Sequence, residues 1–436
     1  MPFDIIVGRD EADLEKFGKT GLIYIGKGYV KMGQRASLSN PILIDVARSH
    51  VILITGKRGS GKSYTLGVIA EEITKLPKEI SSNIAPLIFD TMGVYWSSKY
   101  ANEKDVELLR QWGLEPQKLP VRVFVPYKYF SEYEEQGIPV DFPFSINAHE
   151  LETDDWLATF KLDFTNPIAI LIERVLEKLK EKNKNYSIKD ILKEIEEDKE
   201  TEKESKSAAK RFFEAASTWG IFAEQEEGTK ISQIVEGGKT TVLDLSKYSS
   251  IGTFNIRALV IGIISKKLFN ERMFYRKKEE IQAVQHGLEY LRFKEEREMP
   301  LVWILIDEVH EFLPKTDKTA ATDALIQLLR EGRQPGISLV MATQQPGVLH
   351  RDAITQSDII ISHRVTARPD IESLNDIMQS YMLGDIKTQL DSLPKLKGSA
   401  IVLDDNSERI YPIRVRPRFT WHGGEAPTSV KVEKRL

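Results

Sequence analysis

VILITGKRGSGKS, residues 51–63, decides which fold is expected, because a short apolar run leads directly into a glycine-rich loop. Val51–Thr55 has the length and the β-branched composition of a buried strand. Gly56–Ser63 fills every position of the GxxxxGKS motif, in which backbone N–H groups surround phosphate oxygens. The lysine of this motif contacts the terminal phosphates, and its serine hydroxyl binds Mg²⁺. The sequence therefore predicts a binding site for a nucleoside triphosphate and Mg²⁺.

The loop is expected to lead into a helix. The sequence SYTLGVIAEEI that follows Lys62 has apolar residues at helical spacing, and the N-terminus of such a helix favours an anion. Lys62 is also a candidate catalytic cation, and Ser63 is a candidate Mg²⁺ ligand. The candidate nucleotide-binding residues are Gly56, Lys57, Arg58, Gly59, Ser60, Gly61, Lys62, Ser63 and Tyr64.

A second apolar run, Leu301–Ile306, ends in the acidic pair Asp307 and Glu308. Open α/β sheets bind their ligands beyond the carboxyl ends of the strands, so this pair is expected beside the phosphate loop. Asp307 is predicted to orient a water ligand of Mg²⁺. Glu308 is predicted to be the catalytic base that activates the attacking water. The base matters because a hydrolase needs one, whereas an inert nucleotide-binding scaffold does not.

Three polar residues after Glu308 are further candidates for catalysis. Arg330 and Arg333 stand three positions apart near the end of a predicted helix, so they are expected on one helix face. They can complement the negative end of the helix dipole, or they can reach a γ-phosphate bound by a neighbouring subunit. Gln344 follows the predicted strand Ile337–Thr343 and can sense the γ-phosphate or make loop hydrogen bonds. Spacing alone leaves both choices open.

The order of the elements predicts an α/β fold. Apolar runs alternate with helical patterns, which is typical of a mainly parallel sheet, and the runs are continuous, as in strands covered on both faces. We expect a RecA-like P-loop NTPase core with an added helical insertion. The predicted strands are Val51–Thr55, Pro86–Asp90, Val121–Val125, Thr240–Leu245, Leu301–Asp307, Ile337–Thr343, Asp358–Val365 and Ser399–Leu403.

The chain is expected to divide into three parts. Residues 1–48 form a short N-terminal β segment, residues 49–422 form the ATPase core, and residues 423–436 form a flexible tail. Within the core, residues from about 167 to 222 have mixed charge and helical periodicity, and they are predicted to be a helical insertion. The charged stretch Glu271–Glu298 is expected to be an exposed connection, or equally a loop that becomes ordered only in an assembly.

Composition limits the classes of protein that the chain can belong to and its expected location. The chain has 436 residues, a formal net charge of −4 and no cysteine, which argues against disulfides, thiolate metal sites and a uniformly basic surface. The early charges exclude a secretory signal, and Ala258–Ile264 is too short an apolar run to cross a bilayer. We therefore expect a cytoplasmic protein without membrane contact. A locally basic channel for nucleic acid stays compatible with this net charge.

Several motifs together resemble one known family. The segments GKRGSGKS, IFDTMGVYW, WILIDEVHEFLP, LLREGRQPGISLVMATQQP and IISHRVTARPD resemble the HerA/FtsK superfamily of ring-forming ATPases, most closely its archaeal HerA branch. The similarity runs from about Ser49 to Val415, and its most specific part is the block from Arg330 to Pro346. The resemblance implies a homo-oligomer, typically a hexamer, that uses ATP to translocate DNA and works with a nuclease.

The resemblance also implies roles for individual residues. Lys62, Ser63, Asp307 and Glu308 match the nucleotide and Mg²⁺ residues of the family, and Gln344 matches its sensor position. Arg330 and Arg333 fall in the block that supplies an arginine finger to a neighbouring subunit.

Two departures from the family pattern stand out. Asp90 begins a segment similar to the DxxGEY pattern of the family, but Val94 replaces the usual acid. The HerA branch has a small β-barrel before its phosphate loop, and only 55 residues precede Gly56 here. A strand-like segment at residues 21–50 is expected to be what remains of it.

The leading hypothesis is a ring-forming, ATP-hydrolysing motor that moves DNA and acts in DNA processing or repair. Adenine is the expected base, because Asn183–Tyr186 lacks the final Asp of the guanine-reading NKxD motif. The alternative is a regulatory ATPase switch that remodels a protein or ribonucleoprotein partner without translocating on DNA. The residues that bind ATP and Mg²⁺ do not distinguish between them.

Overall fold

The computed structural model describes residues 3–32, 35–182, 185–223, 228–248, 254–286, 297–378 and 386–424. Within these residues one sheet of 13 strands runs through the protein. The strands are β1 (Ile5–Val7), β2 (Leu22–Met32), β3 (Arg35–Asp45), β4 (Val51–Thr55), β5 (Ile84–Asp90), β6 (Val121–Pro126), β7 (Phe142–Phe144), β8 (Thr240–Asp244), β9 (Leu301–Ile306), β10 (Ile337–Thr343), β11 (Ile359–His363), β12 (Ser399–Asp404) and β13 (Arg409–Val415).

The strand order is β1-β3-β2-β13-β12-β11-β4-β10-β9-β5-β8-β6-β7. The run from β11 to β7 is parallel throughout, whereas β12, β13 and β2 join by antiparallel pairs. The mainly parallel α/β sheet is therefore confirmed, and each of the eight predicted strands is present. In the centre, Met341 of β10 pairs with both Leu53 of β4 and Ile306 of β9. The carboxyl ends of these three strands consequently meet at one edge.

Helices cover both faces of the sheet. They are α1 (Glu11–Phe17), α2 (Lys62–Lys75), α3 (Lys78–Ser81), α4 (Val106–Gln111), α5 (Phe130–Glu135), α6 (Thr153–Phe160), α7 (Pro167–Lys182), α8 (Ile188–Glu197), α9 (Lys203–Ser217), α10 (Ile231–Ile234), α11 (Ile256–His286), α12 (Thr322–Glu331), α13 (Arg351–Thr355), α14 (Arg368–Met378) and α15 (Ile386–Ser392). In the part of the chain that is described, no helix has both the length and the apolar character needed to cross a membrane.

The continuous apolar strands lie between two cores. Leu66 and Ile69 of α2 pack with Ile52 of β4 on one face, whereas Leu259 of α11 and Leu325 of α12 belong to the core on the other face. All residues of β4 and β10 are buried. A strand buried on both faces cannot alternate polar and apolar residues, so the unbroken apolar runs follow directly from this packing.

Helices α7, α8 and α9 occupy the region where the sequence predicts a helical insertion. Their buried apolar residues share one core cluster with Trp156 of α6, whose ring centroid lies 4.9 Å from that of Phe213 in α9. Lys178 and Lys182 pair with Glu194 across α7 and α8. The mixed charge seen in the sequence therefore lies partly in ion pairs that join these helices.

The stretch Glu271–Glu298 differs from the sequence-based expectation. Residues 271–286 continue α11 as helix instead of forming an exposed connection. Arg272 is fully buried, and its guanidinium donates to the carbonyl oxygens of Pro335 and Met299 at 2.8 and 3.0 Å. These long-range bonds satisfy a charged side chain that the composition alone places at the surface. Residues 287–296 of this stretch lie outside the described residues, as do residues 425–436 of the predicted tail.

The N-terminal strands extend the same sheet. Strand β2 pairs with β13, where Gly28 faces Ile413, and β1 pairs with β3. A Cβ atom on Gly26 would lie 2.2 Å from the carbonyl oxygen of Arg414, so only glycine allows the two segments to meet this closely. In the described residues, the strand-like segment at residues 21–50 thus contributes the antiparallel hairpin of β2 and β3 to the main sheet.

A row of charged side chains lies beneath the amino ends of β4 and β11. We call it the charge chain: Arg9, Asp45, His50, Asp358 and Arg333, each paired with the next. The side chains of the first four are at most 6% exposed. Buried charges are tolerated only when paired, so these contacts join the N-terminal segment to the core.

The charge chain makes stability depend on pH. Burial lowers the pKa of His50, but the hydrogen bonds and charges of Asp358 and Asp45 outweigh it and raise the pKa to about 9. An unfolded histidine titrates near about pH 6.5. Because the folded pKa is the higher one, this stabilisation is complete below about pH 6.5 and is lost as the pH rises through 9.

We therefore expect the free energy of unfolding to fall between pH 6.5 and pH 9.5 more steeply for the wild type than for His50→Gln. Denaturant titrations at several pH values measure this difference. A constant difference between the two proteins across that range would contradict a charged His50.

Candidate nucleotide site

The phosphate-loop motif forms a turn that only glycine can build at key positions. Gly56, Gly59 and Gly61 have φ angles of 152°, 74° and 119°. A Cβ atom on Gly56 would lie 2.5 Å from Ser60 Oγ and 2.6 Å from His363 Cβ. Glycine is therefore needed in this motif both for its positive φ angles and because a neighbouring strand passes close to the loop.

Neighbouring strands hold this loop in place. The Lys57 amide donates to the Arg364 carbonyl oxygen at 2.9 Å, which ties the loop to the end of β11. His363 lies beneath it, with Nδ1 3.1 Å from the Ser399 carbonyl oxygen and Nε2 2.9 Å from Thr65 Oγ1. Burial lowers the pKa of His363 to about 4, so the ring is neutral at pH 7 and needs no counterion.

The residues at the start of α2 differ in what they contact. Lys62 is buried, with Nζ 3.5 Å from the Lys57 carbonyl oxygen, so it is folded back along the loop. The carbonyl oxygen of Ser63 accepts a hydrogen bond from the Tyr95 hydroxyl at 3.1 Å. The Tyr64 hydroxyl oxygen accepts a hydrogen bond from the backbone amide of Arg418. The Tyr64 side chain thus contacts the C-terminal segment, while its backbone remains in the first turn of α2.

The acidic pair lies beside the loop, as the sequence predicts. Asp307 is buried at the end of β9 and accepts hydrogen bonds from the Tyr95 hydroxyl at 3.3 Å and the Glu308 amide at 2.9 Å. Glu308 has φ 51° and ψ 43°, a left-handed conformation that is unfavourable for a residue with a side chain. Backbone strain of this kind concentrates at functional sites, and here it falls on the candidate base.

Gln344 at the end of β10 reaches this base. Its Nε2 donates to Glu308 Oε1 at 3.2 Å, so the sensor candidate and the base candidate are in contact. Burial, followed by the charge of Asp307, raises the pKa of Glu308 to about 7, although the charge of Lys62 opposes the shift. A carboxylate with a pKa near neutrality is suited to accept a proton at physiological pH.

Sequence reasoning missed Tyr95. The single hydroxyl proton of this buried tyrosine is shared between the Ser63 carbonyl oxygen and Asp307, so the side chain bridges the two halves of the site. Asp90 positions it by accepting the amides of Met92, Gly93 and Tyr95 at 3.1, 2.7 and 2.8 Å. The signal was present, because Tyr95 stands at the last position of the DxxGEY-like segment that Asp90 begins.

The arrangement fits a triphosphate with Mg²⁺. Ser60 Oγ and Glu308 Oε2 are buried side-chain atoms without a hydrogen-bond partner, and both lie in the elements described above. Such an atom costs about 1–3 kcal/mol unless something satisfies it. Ligands held between the loop and the acidic pair would do so. The residues placed to hold them are those of the loop, Lys62, Ser63 and Asp307.

The structure does not bring Arg330 and Arg333 to this site. Helix α12 ends at Glu331, so Arg333 lies in the turn beyond it and the two arginines do not share a helix face. Arg330 Nε donates to Asp352 at 2.6 Å, and a terminal nitrogen of Arg333 donates to Asp358 at 2.8 Å. Asp358 precedes β11, so Arg333 lies at the amino edge of the sheet.

The separation follows from the strands. Strand β4 has five residues between its amino end and the phosphate loop, about 17 Å at the usual rise of about 3.3 Å per residue. Each arginine side chain is 60% exposed. Arg333 is therefore separated from the phosphate loop of its own chain by the length of β4.

The central-domain model of the helicase HerA family matches residues 25–268, more than half of the 436 residues. The match includes the phosphate loop and Asp90 and ends before Asp307. The geometry of the acidic pair, Gln344 and the arginines therefore comes from the structure and not from this match.

Two curated relatives are similar to parts of the chain. The probable DNA double-strand break repair helicase HerA of Methanocaldococcus jannaschii is 26% identical over 157 residues, which are 32% of this chain and 31% of that protein. The DNA double-strand break repair helicase HerA of Pyrococcus furiosus is 24% identical over 180 residues, 39% of this chain and 31% of that protein. The chain thus matches less than a third of the length of either relative.

A solved structure is similar over most of the chain. VirB4 of Thermoanaerobacter pseudethanolicus has a TM-score of 0.56 at 12% identity, with 92% of this chain and 97% of that chain covered. At this identity the likeness concerns the fold.

We expect Gly56→Ala to abolish nucleotide binding, because the added methyl group would overlap Ser60 and His363 at a φ of 152°. Titration with a fluorescent ATP analogue and Mg²⁺ measures the affinity. Gly113→Ala is the matched control, since Gly113 also has a positive φ but open space around it. Equal affinity of Gly56→Ala and the control would contradict this account of the loop.

Proposed function

Since the chain belongs to the HerA helicase central-domain family, we propose that it is an ATPase whose subunits form a ring and that the ring translocates DNA. The observation that carries the proposal is the contact between Gln344 and Glu308 beside the phosphate loop. It joins the ends of β10 and β9 in one site with an acid that is suited to accept a proton.

The residues of the site have different tasks in the proposed hydrolysis. Gly56–Ser63 binds the phosphates of ATP, and Lys62 offsets their charge. Mg²⁺, when bound, supplies Lewis-acid polarisation of the terminal phosphate. Asp307 orients water on the metal side, and Glu308 accepts the proton of the attacking water. Gln344 holds Glu308 in position, and Tyr95 keeps Asp307 aligned with α2.

The exposed arginines support a ring. An arginine that stabilises the transition state in a neighbouring subunit must be far from its own phosphate loop, and Arg333 lies at the opposite end of β4 from that loop. Head-to-tail contacts that close generate rings. A hexamer and a nuclease partner follow only from the family, and a cytoplasmic location follows only from the sequence, so these remain proposals.

DNA is the proposed polymer because both curated relatives are named as DNA repair helicases. Neither the phosphate loop nor the acidic pair distinguishes DNA from another substrate. The choice therefore depends on a direct measurement.

Glu308→Gln is expected to retain ATP binding and to lower the turnover number by about 10²- to 10⁴-fold, because the amide cannot accept the proton. Steady-state hydrolysis and equilibrium binding of labelled ATP measure the two quantities. Glu311→Gln is the matched control, since Glu311 lies one short turn further along and pairs with Arg257. If Glu308→Gln hydrolyses ATP at the wild-type rate, Glu308 is not the catalytic base.

The polymer is tested by hydrolysis rates with duplex DNA, single-stranded DNA, RNA or no polymer. We expect duplex DNA to stimulate hydrolysis and the stimulation to weaken as salt rises, because phosphate contacts release counterions. Hydrolysis that no nucleic acid stimulates would instead support a regulatory ATPase that acts on a protein partner.

A further inference from the structure

The side chain of Arg333 is exposed, but an ion pair with the buried carboxylate of Asp358, here called its anchor, holds it in place. Its side chain is 60% exposed, yet one terminal nitrogen is held 2.8 Å from Asp358 Oδ2, and the Asp358 side chain is only 6% exposed. A guanidinium group has five N–H donors in a rigid plane, so one bond leaves donors available for a second anion. The anchor therefore reduces the freedom of the side chain without using up its capacity to bind phosphate.

The anchor itself cannot move easily. Asp358 Oδ1 accepts the amide of Val51 at 2.8 Å, and Oδ2 lies 2.6 Å from Nδ1 of His50. Burial opposes ionisation of Asp358, but the hydrogen bond and charge of His50 outweigh it and lower the pKa of Asp358. Asp358 is therefore a carboxylate at neutral pH, held from two sides.

His50 is fixed in turn by the N-terminal segment. Its Nε2 lies 3.1 Å from Asp45 Oδ2, and Asp45 also accepts Nε of Arg9 at 2.9 Å and the amide of Arg48 at 3.1 Å. The charge chain thus passes the turn that joins β3 to β4 and ends at Arg9, between β1 and α1. Signs alternate along it, so each charge is stabilised by both of its neighbours.

Arg330 has a different anchor. Its partner Asp352 lies on the short helix α13 and is 15% exposed. Asp358, by contrast, directly precedes the central strand β11 and is bonded to the first residue of β4. Arg333 is therefore held by a more rigid partner than Arg330 is.

The position of the anchor also matters. Val51, whose amide holds Asp358, begins β4, and the same strand ends immediately before Gly56 of the phosphate loop. One buried strand therefore joins the support of Arg333 to the nucleotide site of the same subunit.

Resting on the ring ATPase proposed above, in which the family resemblance implies an arginine finger from Arg330 or Arg333, we propose that Asp358 and His50 are positioning residues that hold Arg333 ready for the nucleotide site of the neighbouring subunit. Ordering the side chain in advance lowers the entropy cost of its contact with the phosphate. Arg333 then reaches the neighbour, while Asp358 and His50 act through it.

Subunit mixing tests this assignment. Asp358→Asn keeps an intact phosphate loop but holds Arg333 poorly. Lys62→Ala keeps a well-held Arg333 but has a defective phosphate loop. Each variant alone is expected to hydrolyse ATP at least 10-fold more slowly than the wild type. Co-expressed at equal amounts, they should recover about a quarter of the wild-type rate, because random head-to-tail neighbours complete about one site in four.

Controls separate positioning from folding. Asp358→Asn should bind a fluorescent ATP analogue with wild-type affinity, since its own loop is intact. Arg48→Gln should keep the wild-type rate, because Arg48 pairs through its side chain with Asp13 at the same edge but outside the charge chain. If Asp358→Asn does not fold, His50→Gln takes its place in the mixture, because it keeps the ion pair between Arg333 and Asp358 but removes the charged group that holds Asp358.

The outcomes are distinguishable. If the wild type hydrolyses ATP but the mixture is no faster than the mean of its two components, the positioning role is overturned. The proposed ATPase function then still stands. A wild type that hydrolyses no ATP would overturn the proposed function and this inference together.

Discussion

The register of three parallel strands is the constraint on which the site depends. Met341 of β10 pairs with Leu53 of β4 and Ile306 of β9, so the strands end side by side. Their next residues are the phosphate loop, Gln344 and Asp307. Because the strands are buried on both faces, a slip by one residue would turn each side chain to the opposite core. Packing of the sheet therefore fixes the chemistry at its edge.

The opposite edge of the sheet carries the other half of the proposed mechanism. The charge chain joins the N-terminal segment to Arg333 through partners that are at most 6% exposed. In the proposed ring, the phosphate loop at one edge and the exposed arginines at the other would be two complementary halves of a site. Head-to-tail association would bring these halves together, so the proposal couples assembly to ATP hydrolysis.

Local patterns predicted the elements and the motif residues, because unbroken apolar runs and glycine spacing are properties of short stretches. The strands and the adjacency of Lys62, Asp307 and Gln344 follow from them. Long-range contacts were not predictable: the 308-residue separation of His50 and Asp358 leaves no local pattern. The left-handed Glu308 and the bridging Tyr95 likewise depend on packing. Helix α11 continues beyond Glu271 because Arg272 finds partners near β10, which charge composition cannot show.

The dependence of specific activity on protein concentration tests the shared site most directly. If each site needs two subunits, the rate of ATP hydrolysis per chain should fall as dilution separates the subunits and should return on concentration. A rate per chain that stays constant across dilution, for a protein shown by sedimentation to dissociate into single chains, would contradict the shared site.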